Sequence, residues 1–138
     1  MIVVDASVAV QWVVDEATSA LSDTLLERMD MIAPDFMLVE VANALYRKVF
    51  VGDISQHQAR AGLEYVRDKV DLQPVTMDLL DRAIALANEM NHPVYDCLYL
   101  ALAERDGTLV VTYDQELLDR ARYHKHDQLV TKLPIAAQ

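Results

Sequence analysis

The run Ile2-Val3-Val4-Asp5-Ala6-Ser7 constrains the fold more than any other stretch. Its apolar, β-branched opening predicts a short strand buried within a sheet. The strand stops at a carboxylate, and Ser7, two residues on, is a candidate to open a helix. A buried strand of this kind delivers Asp5 to the carboxyl edge, where open α/β sheets bind ligands. The plainer reading is that Asp5 caps the next helix. Other carboxylates arriving at the same edge would decide between the two.

The form recurs late in the chain. After the turn Asp106-Gly107-Thr108, the run Leu109-Val110-Val111 reads as the clearest strand, and it leads through Thr112 and Tyr113 to Asp114. Between these runs, helix-period segments alternate with short strands. Residues 17–29 predict a helix with Ala20, Leu21, Leu25 and Met29 inward, and Met31-Ile32-Ala33 predicts a strand stopped by Pro34. A helix follows over about 36–50, and Ser55 caps another through about residue 70. Residues 72–75 suggest a strand weakened by Pro74. Thr76 or Asp78 opens a helix whose expected stripe is Met77, Leu80, Ile84 and Ala87. Helices over 94–104 and about 115–122 and an edge strand at 129–130 complete the series. The alternation predicts an α/β fold with a mostly parallel sheet. Right-handed crossovers then carry the ends of the first strand and of 109–111 to one edge.

Two more acids interrupt apolar helices. Glu40 lies within Leu38-Val39-Glu40-Val41-Ala42, with Asn43 three positions later on the same face. Buried Glu is rare unless paired or holding a metal, although a narrow polar strip would also accommodate it. Asp96 stands in the first turn of Val94-Tyr95-Asp96-Cys97-Leu98, where the helix dipole alone favours an acid. Trp12 is expected in the core or at a partner contact, Cys97 as a buried structural thiol, and His92, just before Pro93, as a solvated turn residue. His57 belongs to a solvated helix face.

Asp5, Glu40, Asp96 and Asp114 gathered in one cleft would repel one another and raise their own pKa values. Hard cations such as Mg2+ or Mn2+ resolve that conflict, because they prefer oxygen ligands. A carboxylate-held Mg2+ suits phosphoryl chemistry. The net charge of −10 argues against non-specific nucleic-acid binding, unless bound cations cancel the clustered acids. The one concentrated basic patch is Arg120, Arg122, His124, Lys125 and His126. Its histidines lack the companions of a zinc site, so Arg120, Arg122 and Lys125 are read as surface-loop residues or as candidates for phosphate contact. The lone cysteine, the absence of long apolar runs and the lack of a leader-like opening lead us to expect a cytoplasmic protein with no membrane segment.

Four stretches together resemble PIN-domain proteins, and most closely VapC-type toxin ribonucleases of toxin–antitoxin systems. They are Val4-Asp5-Ala6-Ser7-Val8, Glu40-Val41-Ala42-Asn43-Ala44-Leu45, Tyr95-Asp96-Cys97-Leu98-Tyr99-Leu100-Ala101-Leu102-Ala103 and Val111-Thr112-Tyr113-Asp114-Gln115-Glu116-Leu117. The resemblance spans essentially the whole chain. It implies a single PIN-like domain over 1–138, with three layers and a central, mostly parallel sheet flanked by helices. It implies metal-dependent cleavage of RNA of the tRNA or rRNA class, inhibition of translation, a homodimer, and a VapB-type antitoxin that blocks the acidic cleft. By position, Asp5, Glu40, Asp96 and Asp114 match the metal-binding acids, while Ser7 and Thr112 match supporting hydroxyls and Asn43 sits beside Glu40. The basic patch is not part of the family pattern. A receiver-type or phosphatase domain would need an acid adjacent to Asp5 or two residues on, where this chain has Val4 and Ser7. A PIN-like module that binds RNA or protein without cutting it is the remaining alternative.

Overall fold

The computed structural model describes residues 1–14, 19–28 and 30–133. Five short strands form one sheet: β1 (Ile2–Val4), β2 (Met31–Pro34), β3 (Asp71–Gln73), β4 (Val110–Val111) and β5 (Val130–Thr131). Their order is β3-β2-β1-β4-β5, and every pairing is parallel. Val3 registers with Ile32 on one side and with Val110 on the other. The central strands lack an alternating pattern because both of their faces are buried, as parallel sheets require. The chain runs outward from β1 to β3, then returns to β4 beside β1 and runs outward the other way. The order reverses between β1 and β4, so the crevice at their carboxyl ends is the ligand-binding position of an open α/β sheet.

The connections are helical: α1 (Ala6–Ala9), a 3-10 turn (Val10–Trp12), α2 (Ser19–Arg28), α3 (Met37–Phe50), α4 (Gln56–Lys69), α5 (Met77–Met90), α6 (Val94–Asp106) and α7 (Gln115–Tyr123). Helix α6 is the spine of the molecule. Every residue from Cys97 to Ala103 is buried, and the helix packs against β1, β2, β4 and α5. This accounts for a sequence apolar all round rather than striped. Gly107 ends it at φ 68°, a left-handed position that glycine takes without steric cost. Ser55 caps α4 through a reciprocal box: its hydroxyl accepts from the Gln58 N–H and its own N–H donates to the Gln58 side chain.

Several expectations change. Helix α5 buries Leu79, Ala83, Leu86 and Met90, whereas Met77 and Ile84 of the expected stripe stand exposed. This helix carries two apolar stripes, and the one that meets α6 is buried. Helix α2 turns Ser22 and Leu25 inward and exposes Ala20. Position 17 and Met29, the expected limits of that helix, lie outside the described residues. Strand β3 precedes Pro74, which has no N–H for the ladder. The cap of α1 is Asp5, not Ser7. Trp12 is half-buried against the core, and its Nε1–H donates to the Ser22 carbonyl at 2.9 Å.

Candidate metal centre

Asp5 is 6% exposed and lies just past β1. Its Oδ1 accepts from the Ser7 hydroxyl at 2.6 Å and from the Val8 N–H at 3.3 Å, while its Oδ2 accepts from the Thr112 hydroxyl. Asp5 is therefore both a helix cap and a buried acid facing the crevice. The two hydroxyls also bind the opposite loop: Thr112 Oγ1 accepts from the Asp114 N–H at 2.9 Å, and Ser7 Oγ from the Tyr113 N–H at 3.0 Å. One network thus fastens the end of β1 to the end of β4. Burial nevertheless pushes the Asp5 carboxyl up to about 7, and the charge of Asp96 adds to the rise.

Asp96 enters from the first turn of α6. Its Oδ2 lies 2.6 Å from Nε2 of His92, whose side chain is buried. The sequence expectation of a solvated His92 is corrected. Asn91 closes α5 in the left-handed region and Pro93 opens α6, so the sharp turn between them folds the imidazole inward. Nδ1 of His92 is buried without a hydrogen-bond partner among the described residues, which favours the tautomer carrying its proton on Nε2, donated to Asp96. Glu40, half-buried on α3, accepts a 2.6 Å hydrogen bond from the hydroxyl of Tyr99, which is 1% exposed. Burial raises the carboxyls of Asp96 and Glu40. The Asp114 charge adds to the rise at Asp96, and the Asp96 charge adds to it at Glu40. Asp114 caps α7 by accepting from the Leu117 N–H.

All four acids thus converge on the first turn of α6. Ligand atoms of His92, Asp96 and Asp114 lie within 4.8 Å of one another. Asp5 and Glu40 are close enough to feel the charge of Asp96. A set dominated by carboxylate oxygens, with Asp5, Glu40 and Asp96 pushed upward by burial and by neighbouring acids, fits a hard divalent cation, which would relieve both.

The other candidates are placed differently. Asn43 is exposed and makes no side-chain hydrogen bond among the described residues. Arg120 and Arg122 occupy the last turn of α7, and Lys125 follows it, so the helix carries them away from Asp114 at its start. His126 is held by Glu89 at 3.0 Å. The Cys97 thiol is buried and pushed up to about 12 by that burial, which excludes a thiolate nucleophile. Sequence reasoning did not find His92, Tyr99 or Glu116, whose charge also bears on Asp96. Their one sequence signal is spacing around Asp96 and Asp114: Tyr99 three residues after Asp96, His92 four before it, and Glu116 two after Asp114.

Comparison with known proteins agrees with this architecture. The PIN-domain family model matches residues 2–123. Ribonuclease VapC3 of Pyrobaculum aerophilum is 30% identical over 122 residues, covering 86% of this chain and 93% of that protein. Ribonuclease VapC1 of Mycobacterium tuberculosis is 33% identical over 117 residues, covering 83% and 86%. The crystal structure of PAE2754 from P. aerophilum superposes with a TM-score of 0.69 at 26% identity, covering 86% of this chain and 77% of that one. M. tuberculosis VapC20, described as a sarcin-ricin loop cleaving toxin, shares the fold with a TM-score of 0.72 at 18% identity, covering 86% and 94%. With an all-parallel sheet whose crevice gathers these acids, the chain belongs to the PIN-domain family and is of the VapC type.

Proposed function

We propose that this chain is an endoribonuclease toxin dependent on Mg2+ or Mn2+, working as a single domain over 1–138. The observation that carries this reading is the convergence of Asp5, Glu40, Asp96 and Asp114 on one crevice, from four separate elements. A bound Mg2+ supplies charge stabilisation at the phosphate and activates the attacking water. The residues of the chain set up that chemistry. Ser7 and Thr112 fix both oxygens of Asp5, so its position is settled before any ligand arrives. His92 occupies one oxygen of Asp96 and Tyr99 one oxygen of Glu40, and these contacts would orient both carboxylates toward a bound cation. No protein nucleophile is required.

The relatives named ribonucleases support RNA as substrate, and the tRNA or rRNA class is our extension of that resemblance. A VapB-type antitoxin as partner, a homodimer and a cytoplasmic site of action complete the proposal. No helix among the described residues is long and apolar enough to cross a membrane. The test is cleavage of labelled RNA by the purified protein, with and without excess EDTA. Cleavage that stops in EDTA and returns with Mg2+ or Mn2+ is expected, and full activity in EDTA would overturn the metal-dependent reading.

A further inference from the structure

One cleft, of about 520 Å3, lies between the α1 segment and α3 with Glu40 in its lining. Ser7, Gln11 and Tyr113 line it beside Glu40, and Arg47 and Lys48 stand at its other end. Glu40, Ala44, Arg47 and Lys48 fall on one face of α3 at helical spacing, also with Ala44 lining the cleft between acid and bases. The rise from Glu40 to Arg47 is about 10 Å at roughly 1.5 Å per residue. A small alanine at the midpoint leaves room for a chain to lie along the groove.

We propose that this cleft holds the RNA strand next to the bond being cut, with Arg47 and Lys48 binding a flanking phosphate. The inference rests on the ribonuclease reading and extends it to the substrate path. The chain carries a net charge of −10, so a polyanion can approach only where cations are placed on its route. Arg47 and Lys48 share this cleft with Glu40. Lys48 also lies 3.8 Å from Asp53, with both side chains partly exposed. Arg120 instead shares a separate hollow with Glu116, Asp119 and Tyr123, where two acids offset its charge. An acidic peptide is the competing occupant, but Glu40 within the groove opposes one without supplying the ester that the acid cluster is suited to cut.

The test uses initial rates of cleavage of a short, random-sequence, fluorophore-labelled single-stranded RNA over a range of salt, with Mg2+ saturating. Arg47→Ala combined with Lys48→Ala should raise KM at least about fivefold and leave kcat within about twofold, the pattern of lost uniform binding. The slope of log kcat/KM against log salt should become shallower by about 0.7, the value for one phosphate contact on a single strand. Arg120→Ala with Arg122→Ala and Lys125→Ala should change neither quantity. Thermal melting checks the fold, and Arg47→Gln with Lys48→Gln replaces the alanine pair if that pair melts early. Unchanged KM and salt slope in a folded double variant, while the wild type cuts, overturns the proposal and leaves the nuclease reading intact. Retained RNA kinetics with lost affinity for poly-glutamate would assign the cleft to an acidic peptide and overturn it as well. A wild-type protein that cuts no RNA removes the nuclease reading and the substrate path with it.

Discussion

Asp5 and Asp96 are both shielded acids of one site, yet they are held in contrasting ways. Asp5 sits on the loop after a central strand, with both oxygens occupied by hydroxyls and a backbone amide. Asp96 projects from a helix end, is more open to solvent, and is tied at one oxygen by one imidazole. The first is a rigid anchor whose burial opposes its charge, and the second is an oriented, more accessible acid. In the proposed metal site this would divide the labour: the sheet would fix where a cation can sit, and the helix turn would present the more accessible oxygen to it.

Replacing the accessible acid should have the largest effect. Asp96→Asn should lower RNA cleavage by at least about a hundredfold to a thousandfold, the scale of losing one group that stabilises developing charge, while thermal melting stays near wild type. Retention of full cleavage would remove Asp96 from the site. The anchor should reveal itself through pH. Its carboxyl rises from 3.8 to about 7 on folding, so the native state binds the extra proton between those values. Stability of the metal-free protein should then fall as pH rises through that window, by about 4 kcal/mol at most, and level off above it. Melting in EDTA from pH 5 to pH 8 measures this. Asp5→Asn should flatten the curve, and Mg2+ should restore stability at pH 8.

The imidazole comes next. His92→Leu should cost about 1–3 kcal/mol by leaving Asp96 short of a partner, and should weaken Mn2+ binding about 10-fold to 100-fold in calorimetry. His92→Gln, which can still donate from a comparable position, should recover most of the affinity. Equal Mn2+ affinity in the leucine variant would reduce His92 to packing. At the far end of α6, Arg82 forms a two-pronged, exposed contact with Glu104 at 2.6 and 2.8 Å. Arg82→Ala should change stability by less than about 1 kcal/mol and leave cleavage untouched, which separates helix anchoring from acid placement.

The sequence displayed the acids because each breaks an apolar run, and that break is visible without coordinates. Strand alternation likewise exposed the parallel sheet. The supporting groups were hidden for physical reasons. Tyr99 lies in a helix apolar on every side, where one hydroxyl among buried residues looks like packing. His92 precedes a proline, a context typical of solvated turns, and only the meeting of α5 and α6 buries it. Helix α5 offers two plausible stripes, and the choice between them belongs to the helix it meets. Ser7 and Thr112 were legible as supporting hydroxyls only through the family resemblance, because the network they form joins segments far apart in sequence. The distinction between Arg47 with Lys48 and the α7 patch depends on which side of a helix borders the crevice.

The hydrogen bond from Thr112 to Asp5 joins residues 107 positions apart. During synthesis, β1 emerges early and waits for β4, its neighbour on that side of the sheet. Asp96 and Asp114 also come late. A nascent chain therefore carries Asp5 for most of its translation without β4, the Thr112 hydroxyl or the two later acids. On the proposed ribonuclease reading, the order of manufacture would keep the acid cluster incomplete until Asp114 has emerged.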